Sequence, residues 1–536
     1  MASAAPNQRK TIYHYAYRRS RDQDAAPPAR HPVVVVGAGP VGLTAAIDLA
    51  LRGVPVVLLD DADRIGEGSR GICYSKRTLE ILDRLGVGEG LVRQGVTWKL
   101  GKVYLGDDLV YSFDLLPEDG HKMPAFINLQ QYYLEKALVD RALELPNIDL
   151  RWRNKVTGVE RRNDDVRLII DTPEGKYQLD ADWLIAADGA RSTIRDLLGL
   201  GFKGVTFEDK FLIADIRMTA DFPTERRFWF DPPFHSGQSA LMHRQPDNVW
   251  RIDLQLGPDA DVEAEQRPER VTARLKKMLG ERDFELEWVS IYRFNCRRLE
   301  RFTHGRVIFV GDAAHQVSPF GARGANSGVQ DAENLAWKLA AVLKGEADTH
   351  LLDSYELERM QAADENIGHS TRSTDFIAPH SPAERTLRNA VLALAPHCDF
   401  ARRMVNSGRL SVATVYDTPL STPDEAAFAG AARLGAPAPD AEMQTGEGTP
   451  CHLVAQLSSG FELLYVRDGA TPAPPDGIKL TVIGEDLKDT HGYFARRFDA
   501  TPGAAYLLRP DQHLCARWRS YDAVKVARAR ARALGR

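Results

Sequence analysis

The chain has 536 residues, of which 43% are hydrophobic and 27% are charged, and its formal net charge is −5. This composition is typical of a globular protein with two or three domains, and the charge excludes a general attraction to nucleic acid or to an anionic membrane. The five cysteines are scattered without metal-ligand spacing, so we expect a cytoplasmic location, no disulfide framework and no metal site.

Residues 1–30 are predicted to be an N-terminal extension. They contain no apolar core and therefore do not read as a secretion signal. The pair Arg18 and Arg19 also occurs in twin-arginine export signals, but the apolar run after it is better explained as a strand. Later apolar stretches are interrupted by charged residues such as Asp48 and Arg52, so no membrane span is expected.

The first predicted strand covers residues 33–36, a β-branched run without polar alternation, as in a strand that is covered on both faces. A helix over residues 43–51 and a second strand over residues 56–59 follow. The turn between the first strand and the helix reads "GAGPVG". Strand, glycine pattern, helix and strand in this order predict a βαβ unit that binds a dinucleotide, with a purely structural turn as the alternative.

Each residue of the glycine pattern has an expected task. Gly37 permits the tight turn, Gly39 lets a pyrophosphate approach the backbone beside Pro40, and Gly42 lets the helix pack closely on the strand. Asp60, at the end of the second strand, is expected to accept hydrogen bonds from ribose hydroxyls. The pattern alone does not separate FAD from NAD.

Two further motifs follow predicted strands. "LIAADGARSTIR" places Asp188 and Gly189 after an apolar run, and a turn before a helix capped by Ser192 explains it equally well. "FVGDAAHQVSPFGARGANSG" places Gly311 and Asp312 after another apolar run, and a helix over residues 328–345 follows.

Taken together, the three motifs resemble those of the class A flavoprotein monooxygenases, the family of para-hydroxybenzoate hydroxylase and phenol hydroxylase. The resemblance covers about residues 32–354 in motif order and, more loosely, the C-terminal third. It implies an α/β protein: a Rossmann-like FAD-binding domain interleaved with a β-sheet substrate domain, followed by a C-terminal thioredoxin-like domain.

The resemblance also assigns residues to FAD. Asp312 would hold the ribityl hydroxyls, and Asp188 with Gly189 would serve the FAD pyrophosphate and the nicotinamide cofactor. Arg70 would lie near the ribose and phosphates, with Arg77 as its rival. The expected ribityl contact from a Gln or Arg falls on Gln131, and Gln130 is one step away.

The segment from Pro319 to Asn326 is expected to lie along the isoalloxazine ring, because only small residues fit beside a flat ring that must slide. Backbone N–H groups of Gly324, Ala325 and Asn326 would stabilise the ring edge that becomes anionic on reduction. Pro319 would sit over the reactive face, with its carbonyl near the substrate oxygen. His315 has either a structural or a catalytic role.

Residues 205–301 read as an antiparallel sheet that should supply the substrate contacts. The polar candidates are His235, His243, Arg251 and Tyr292, and the candidate aromatic walls are Phe228 and Trp229. Cys73 and Tyr74 are outside candidates from the flavin side. Among these we rank Tyr292 and His243 as catalytic candidates beside Pro319 and His315. The sequence does not identify which residue accepts the proton of the substrate hydroxyl.

By family resemblance, NAD(P)H reduces FAD, oxygen adds at carbon 4a to give a hydroperoxide, and this hydroxylates a phenolic or related activated aromatic ring. The alternatives are epoxidation or Baeyer–Villiger oxidation on the same fold, or a flavin-binding protein without turnover. The expected partners are a small aromatic substrate and O2, with a possible homodimer. NADH and NADPH are not distinguished.

The predicted domains follow from these assignments. The FAD-binding domain comprises residues 31–97, 126–204 and 302–400, and the substrate domain comprises residues 98–125 and 205–301. A thioredoxin-like domain is predicted over residues 425–536. It has Cys451 and Cys515 but no Cys-x-x-Cys pair, so we expect a structural or dimer-forming role. The basic tail is expected to be a solvated helix end.

Overall fold

A computed structural model of the protein describes residues 13–65, 70–257, 259–405 and 410–536. The strands, in chain order, are β1 (Ala29–Val36), β2 (Val56–Leu59), β3 (Cys73–Ser75), β4 (Val96–Trp98), β5 (Leu100–Leu105), β6 (Asp108–Asp114), β7 (Phe126–Asn128), β8 (Ile148–Arg151), β9 (Lys155–Arg161), β10 (Val166–Thr172), β11 (Gly175–Ala186), β12 (Phe202–Arg217), β13 (Arg226–Phe230), β14 (Ser239–Arg244), β15 (Val249–Leu256), β16 (Glu285–Leu299), β17 (Thr303–His304), β18 (Val307–Phe309), β19 (His315–Gln316), β20 (Glu442–Thr445), β21 (Pro450–His452), β22 (Phe461–Val466), β23 (Ile478–Ile483), β24 (Leu487–Lys488), β25 (Ala505–Leu508) and β26 (Leu514–Trp518).

The α-helices are α1 (Pro40–Leu51), α2 (Lys76–Arg84), α3 (Gly88–Gln94), α4 (Gln131–Leu143), α5 (Thr193–Leu197), α6 (Val262–Glu265), α7 (Pro268–Leu279), α8 (Gly324–Leu343), α9 (Asp353–Ile377), α10 (Pro382–Leu394), α11 (Asp399–Met404), α12 (Leu453–Gln456), α13 (Tyr493–Phe498) and α14 (Ala523–Ala533). Short 3₁₀ turns cover Arg21–Asp24, Pro233–His235, Gly311–Ala313 and Thr349–Leu352. No helix in these described ranges is long and apolar enough to span a bilayer.

The first sheet has the strand order β17-β18-β11-β1-β2-β8, with parallel pairing from β18 to β8. Its register sets Val36 opposite Ala186, and Ala186 opposite Phe309. The carboxyl ends of three neighbouring strands therefore meet at one edge. Because all three motifs begin within two residues of those ends, the fold gathers them into one site.

The second sheet has the order β19-β16-β12-β15-β14-β13-β5-β6 and is antiparallel except between β13 and β5. Helix α7 packs on one face through Val271, Leu275 and Leu279. The opposite face contributes Phe228 and Phe230 to a separate core. Strand β15 is buried on both faces, with only Asp253 partly exposed.

The C-terminal sheet has the order β21-β20-β24-β23-β22-β25-β26. Helix α14 buries Val526, Ala529 and Ala533 in a core shared with Trp337 of α8, so the basic tail is packed on one face rather than wholly solvated. The predicted combination of a Rossmann-like FAD-binding fold with a β-sheet domain is confirmed. The thioredoxin-like assignment of the C-terminal part stays a prediction.

Candidate functional site

The glycine turn after β1 has the geometry that its sequence predicts. Gly37 has φ +106, and a Cβ on it would lie 2.4 Å from the carbonyl oxygen of Ala187. A Cβ on Gly42 would lie 1.9 Å from the carbonyl oxygen of Gly37. By contrast, a Cβ on Gly39 would meet no protein atom within 4 Å. Two glycines therefore allow chain packing, and Gly39, just before Pro40 at the start of α1, borders open space.

Asp60 closes this turn from the end of β2. Its Oδ2 accepts a hydrogen bond of 2.6 Å from the Ala38 N–H, and its Oδ1 accepts one of 2.9 Å from the Ala62 N–H. Burial raises the pKa of Asp60 to about 6, against the effect of these two donors. The carboxylate is thus held at the mouth of the glycine turn, where unused lone pairs can accept from a ribose.

Asp188 and Gly189 follow β11 at the same edge. Asp188 accepts from the Ser192 hydroxyl at 2.6 Å and from the Ile194 N–H at 2.9 Å, and burial raises its pKa. It therefore holds the start of α5, the structural role that the sequence left open. Gly189 has φ +76 and no protein atom within 4 Å of a built Cβ, so the space beside it is free for a ligand.

Asp312 lies in the turn after β18, beside the start of α8. It is exposed to solvent, yet the surrounding protein raises its pKa by desolvation. Within the described part of the chain, nothing donates a hydrogen bond to its carboxylate. The charges of His315 and Arg70 act against the desolvation, and Asp312 and Arg70 both act on the phenol of Tyr292, whose pKa is raised mainly by burial. Asp312, Arg70 and Tyr292 therefore lie in one part of the molecule.

The first turn of α8 lies beside Asp312. A Cβ built on Gly324 would lie 3.9 Å from Asp312 Oδ1. The N–H groups of Gly324, Ala325 and Asn326 have no acceptor within the helix, as at any helix start. The Asn326 side chain accepts from the Ser75 N–H at 2.9 Å and donates to the Cys73 carbonyl at 2.9 Å, so it fastens β3 to α8.

Pro319 is exposed at the start of the preceding turn. Its carbonyl accepts a hydrogen bond of 3.0 Å from the Ala322 N–H, and Ala322 has φ +53. The carbonyl that is expected near the substrate oxygen therefore closes this turn through one of its two lone pairs. Arg323 is buried and donates a hydrogen bond of 3.2 Å to Asn366 on α9.

The structure separates the rival assignments near α4 and α2. Gln131 accepts from the Gly71 N–H at 3.0 Å and so holds the loop that carries Arg70, whereas Gln130 donates to the Pro246 carbonyl at 3.3 Å. Arg77 is buried in an ion pair of 2.7 Å with Glu333 and donates to the Asp511 carbonyl. It therefore joins the C-terminal part to α8.

FAD fits this set of groups. The open space beside Gly39 at the start of α1 suits a pyrophosphate, since the helix N-terminus offers free N–H groups and a positive dipole end. No described residue donates a hydrogen bond to the carboxylate of Asp312, which suits the paired hydroxyls of a ribityl chain. The start of α8 suits the ring edge that gains negative charge on reduction.

We call Gly39, Asp312 and the start of α8 together the flavin seat. His315 lies behind the flavin seat rather than in it. Its Nε2 is 2.6 Å from Asp331 Oδ2, and Asp331 also accepts from the Gly311 N–H at 2.8 Å and from Arg359 at 2.6 Å. Burial opposes the charge of Asp331, but His315 and Arg359 outweigh it and hold its pKa below the usual range. Because His315 is 1% exposed, its place favours a structural role over a catalytic one.

An aromatic chamber adjoins the seat on the side of the second sheet. Its walls include Phe113, Phe228, Phe230, Phe320, Gly321 and Arg226. Phe320 and Gly321 directly follow Pro319, so the chamber reaches the stretch expected along the ring. A concave space with mostly apolar walls and a few polar groups is typical of a small-molecule site.

None of the polar sheet candidates is among the described residues that line this chamber. His243 is buried on β14, its Nδ1 has no partner, and burial together with Arg226 and Arg251 holds its pKa well below the usual value. His235 is 2.6 Å from the Gln255 carbonyl, and Arg251 is paired with Asp215 at 2.8 Å, so these two are structural.

Three other candidates are also tied into the protein. Trp229 stacks on Tyr104 on the far face of β13. The Cys73 thiol lies 3.1 Å from Asn128 Oδ1, and burial raises its pKa to about 12. The Tyr74 hydroxyl is 3.4 Å from the Gly71 carbonyl. Among the predicted walls, Phe228 lines the chamber.

Sequence reasoning missed Arg226. In "RRFWF", alternate residues share one face of the strand, so Arg226, Phe228 and Phe230 face the chamber together. Arg227 points away and pairs with Glu225 at 2.8 Å. The alternation was the available signal, but it does not reveal which face borders the cofactor.

Comparison with known proteins agrees with this geometry. A family model described as "FAD binding domain" matches residues 30–370. The chain is 31% identical over 523 residues to the 12-dehydrotetracycline 5-monooxygenase/anhydrotetracycline 6-monooxygenase of Streptomyces rimosus, covering 91% of this chain and 95% of that protein. It is 30% identical over 371 residues to the para-nitrophenol 4-monooxygenase of a Pseudomonas species, covering 67% of this chain and 90% of that protein.

A solved structure shares the fold over nearly the whole chain. The flavin-dependent monooxygenase PieE, solved in complex with FAD and substrate, superposes with a TM-score of 0.80 at 24% identity. The match covers 94% of this chain and 99% of that one. All three sheets described above therefore belong to a known arrangement.

Proposed function

The chain belongs to the FAD binding domain family and is an FAD-dependent aromatic monooxygenase, and we propose that it uses NAD(P)H and O2 to hydroxylate a phenolic or related electron-rich ring. The observation that carries the proposal is the aromatic chamber, which opens beside the residues that follow Pro319. Its aromatic walls suit contact with a planar ring. FAD bound in that seat supplies the electrons that activate O2 for insertion into the substrate.

The residues of the seat are proposed to position the cofactor. Asp312 would accept hydrogen bonds from the ribityl hydroxyls. The charge of Arg70 acts on Asp312 and would offset the negative charge of the phosphates. Gln131 keeps the Arg70 loop in place through Gly71. The N-terminus of α8 donates to the ring edge where negative charge develops.

The residues of the chamber are proposed to orient the ring and keep water out. Four phenylalanine walls exclude solvent, which limits wasteful release of peroxide. His243 is neutral at neutral pH because burial depresses its pKa, so its free Nδ1 is suited to accept a hydrogen bond from a substrate hydroxyl rather than its proton. Tyr292 stays protonated, because burial raises its pKa, and is suited to donate a hydrogen bond.

The relatives agree with a substrate of this kind. One is named for 12-dehydrotetracycline and anhydrotetracycline and another for para-nitrophenol, so one-ring and fused-ring substrates both occur among them. The choice between NADH and NADPH, a homodimer and a cytoplasmic location stay predictions.

The test is a panel of phenols and fused-ring phenols added to the purified FAD-loaded protein with NADH or NADPH. At least one compound should accelerate flavin reduction and yield a hydroxylated product, identified by mass and NMR. A ring-expanded or epoxidised product would favour the other oxidations. A protein that retains FAD but gives no product with any compound would contradict the proposal.

A further inference from the structure

The N-terminal extension contains a segment that packs on the FAD-binding part. We call residues 13–24 the N-terminal strap, which ends in the 3₁₀ turn Arg21–Asp24. Tyr13, Tyr15 and Tyr17 are half-buried and alternate with exposed residues, so the three tyrosines lie on the inner side of the strap. Tyr13 and Tyr15 pack against the core of the first sheet. The N-terminal strap is therefore attached to the protein through a row of tyrosines.

The N-terminal strap pairs with the chain that follows Asp60. The Tyr15 N–H donates to the Asp63 carbonyl at 2.7 Å, and the Ile65 N–H donates to the Tyr13 carbonyl at 3.3 Å. These two hydrogen bonds form a short antiparallel bridge. Because Asp63 is only three residues after Asp60, the strap fixes the chain directly after the expected ribose contact.

The chain after β8 is the second neighbour of Asp60. The Asp60 N–H donates to the Arg151 carbonyl at 3.0 Å, and the Asn154 N–H donates to the Asp60 carbonyl at 2.8 Å. Trp152 lies between these two partners in the chain, and its ring stacks on Tyr15 with centroids 4.6 Å apart and planes 6° apart. The N-terminal strap thus contacts both chain segments that hold the backbone around Asp60.

Tyr13 and Tyr15 also meet α4. The Lys136 ammonium lies 5.1 Å from the centre of the Tyr13 ring. Burial, followed by the charge of Asp140 on α4, raises the pKa of Tyr15 to about 12. The Tyr15 hydroxyl is buried, and no described residue forms a hydrogen bond with it. Tyr15 is therefore held by its ring and its backbone, and not by its hydroxyl.

The other end of the N-terminal strap is attached elsewhere. The Tyr17 hydroxyl donates to Gln23 at 2.8 Å and lies 3.4 Å from Thr172 Oγ1 on β10. Strand β10 carries none of the residues assigned to FAD. Tyr15 and Tyr17 are thus the same residue type on one segment, but only Tyr15 contacts the surroundings of Asp60.

We propose that the N-terminal strap holds the chain on both sides of Asp60 in the form that binds the adenosine half of FAD, and so increases the affinity for the cofactor. The proposal rests on the assignment of Asp60 to the ribose of FAD. When the binding-competent form of a protein is only partly populated, its apparent affinity is reduced by that fraction. The stacking of Tyr15 on Trp152 and the pairing beside it favour the competent form, because both are lost when the chain after Asp60 moves away.

Two measurements test this without turnover: titration of the apoprotein with FAD, read by flavin fluorescence, and amide hydrogen exchange of residues 60–65. Tyr15→Ala should weaken FAD binding roughly tenfold and should speed up exchange in residues 60–65. Tyr15→Leu keeps an apolar side chain without the stacking, so it should give a smaller loss in the same direction, and it replaces the alanine variant if that one does not fold. Tyr15→Phe keeps the ring and should behave like the wild type.

Tyr17→Ala is the matched control, since it removes the same side chain from the part of the N-terminal strap that lies on β10. It should leave FAD affinity and exchange in residues 60–65 unchanged. The inference is overturned if Tyr15→Ala and Tyr15→Leu bind FAD as tightly as the wild type, or if Tyr17→Ala weakens binding equally. If FAD does not slow exchange of residues 60–65 in the wild type, Asp60 is not a cofactor contact and the inference falls with it. A failure to hydroxylate any phenol would contradict the proposed function without changing these binding results.

Discussion

Glu358 on α9 is the best place to test how the C-terminal part supports the flavin seat. It is fully buried and accepts from Arg509 at 2.7 Å, from Lys338 at 2.8 Å and from Asn334 at 2.6 Å. The Thr418 hydroxyl donates to it at 2.7 Å. Burial opposes its charge, but Arg509 and Lys338 outweigh that effect and hold its pKa far below the usual range.

Glu358→Ala removes the acceptor of all these donors. Arg509 keeps Asp511 as a partner, but Lys338 is left buried without a counter-charge, and burial already lowers its pKa to about 8. Removing one partner of a buried ion pair costs about 3–5 kcal/mol. We expect a loss of that size in the free energy of unfolding, together with weaker retention of FAD, because Lys338 and Asn334 belong to α8.

The assay is urea unfolding of the FAD-loaded protein, followed by tryptophan fluorescence and by flavin release. Glu365→Ala on the same helix is the control, since Glu365 is half exposed and its ion pair with His369 is long, at 3.7 Å, and it should change stability by less than about 0.5 kcal/mol. A Glu358→Ala protein within about 1 kcal/mol of wild type would refute the view that this ion network stabilises the fold.

Three further predictions concern the seat and the chamber. Asp312→Ala should weaken FAD binding roughly tenfold to hundredfold in a flavin fluorescence titration, through loss of charge-assisted hydrogen bonds, and unchanged affinity would remove Asp312 from the seat. Gly42→Ala should lower the melting temperature of the apoprotein, because its Cβ would lie 1.9 Å from the Gly37 oxygen. Gly39→Ala should leave the melting temperature of the apoprotein unchanged but block FAD loading. Equal effects of the two variants on apoprotein melting would contradict this distinction. Burial holds the pKa of His243 below its usual 6.5, so the unfolded chain binds a proton there that the folded chain does not, and stability falls as pH drops below that value. His243→Leu should therefore reduce the loss of unfolding free energy between about pH 7 and pH 5, and an unchanged slope would count against a buried neutral histidine.

Features that depend on local chain geometry could be predicted from the sequence. The turn at Gly37 and Gly42 is read correctly because the clash that excludes a Cβ arises within one βαβ unit. The common edge of the three motifs also follows, because parallel strands align their carboxyl ends.

Features that depend on partners distant in the chain could not be predicted from the sequence. Arg77 is assigned by its ion pair with Glu333, more than two hundred residues away in the chain, and not by the motif around it. His315 is assigned by Asp331, which looks from the sequence like any polar residue of a helix. Arg226 needs knowledge of which face of β13 borders the chamber, and that is decided by packing against the FAD-binding part.

Oxygen insertion itself is tested most directly by turnover under ¹⁸O2. The FAD-loaded protein, NAD(P)H and the best substrate of the phenol panel are incubated under labelled gas, and the product is analysed by mass spectrometry. A monooxygenase reaction should give a product that contains one oxygen-18 atom, formed with consumption of the nicotinamide cofactor. A product labelled from water instead, or labelled peroxide with unchanged substrate, would contradict it.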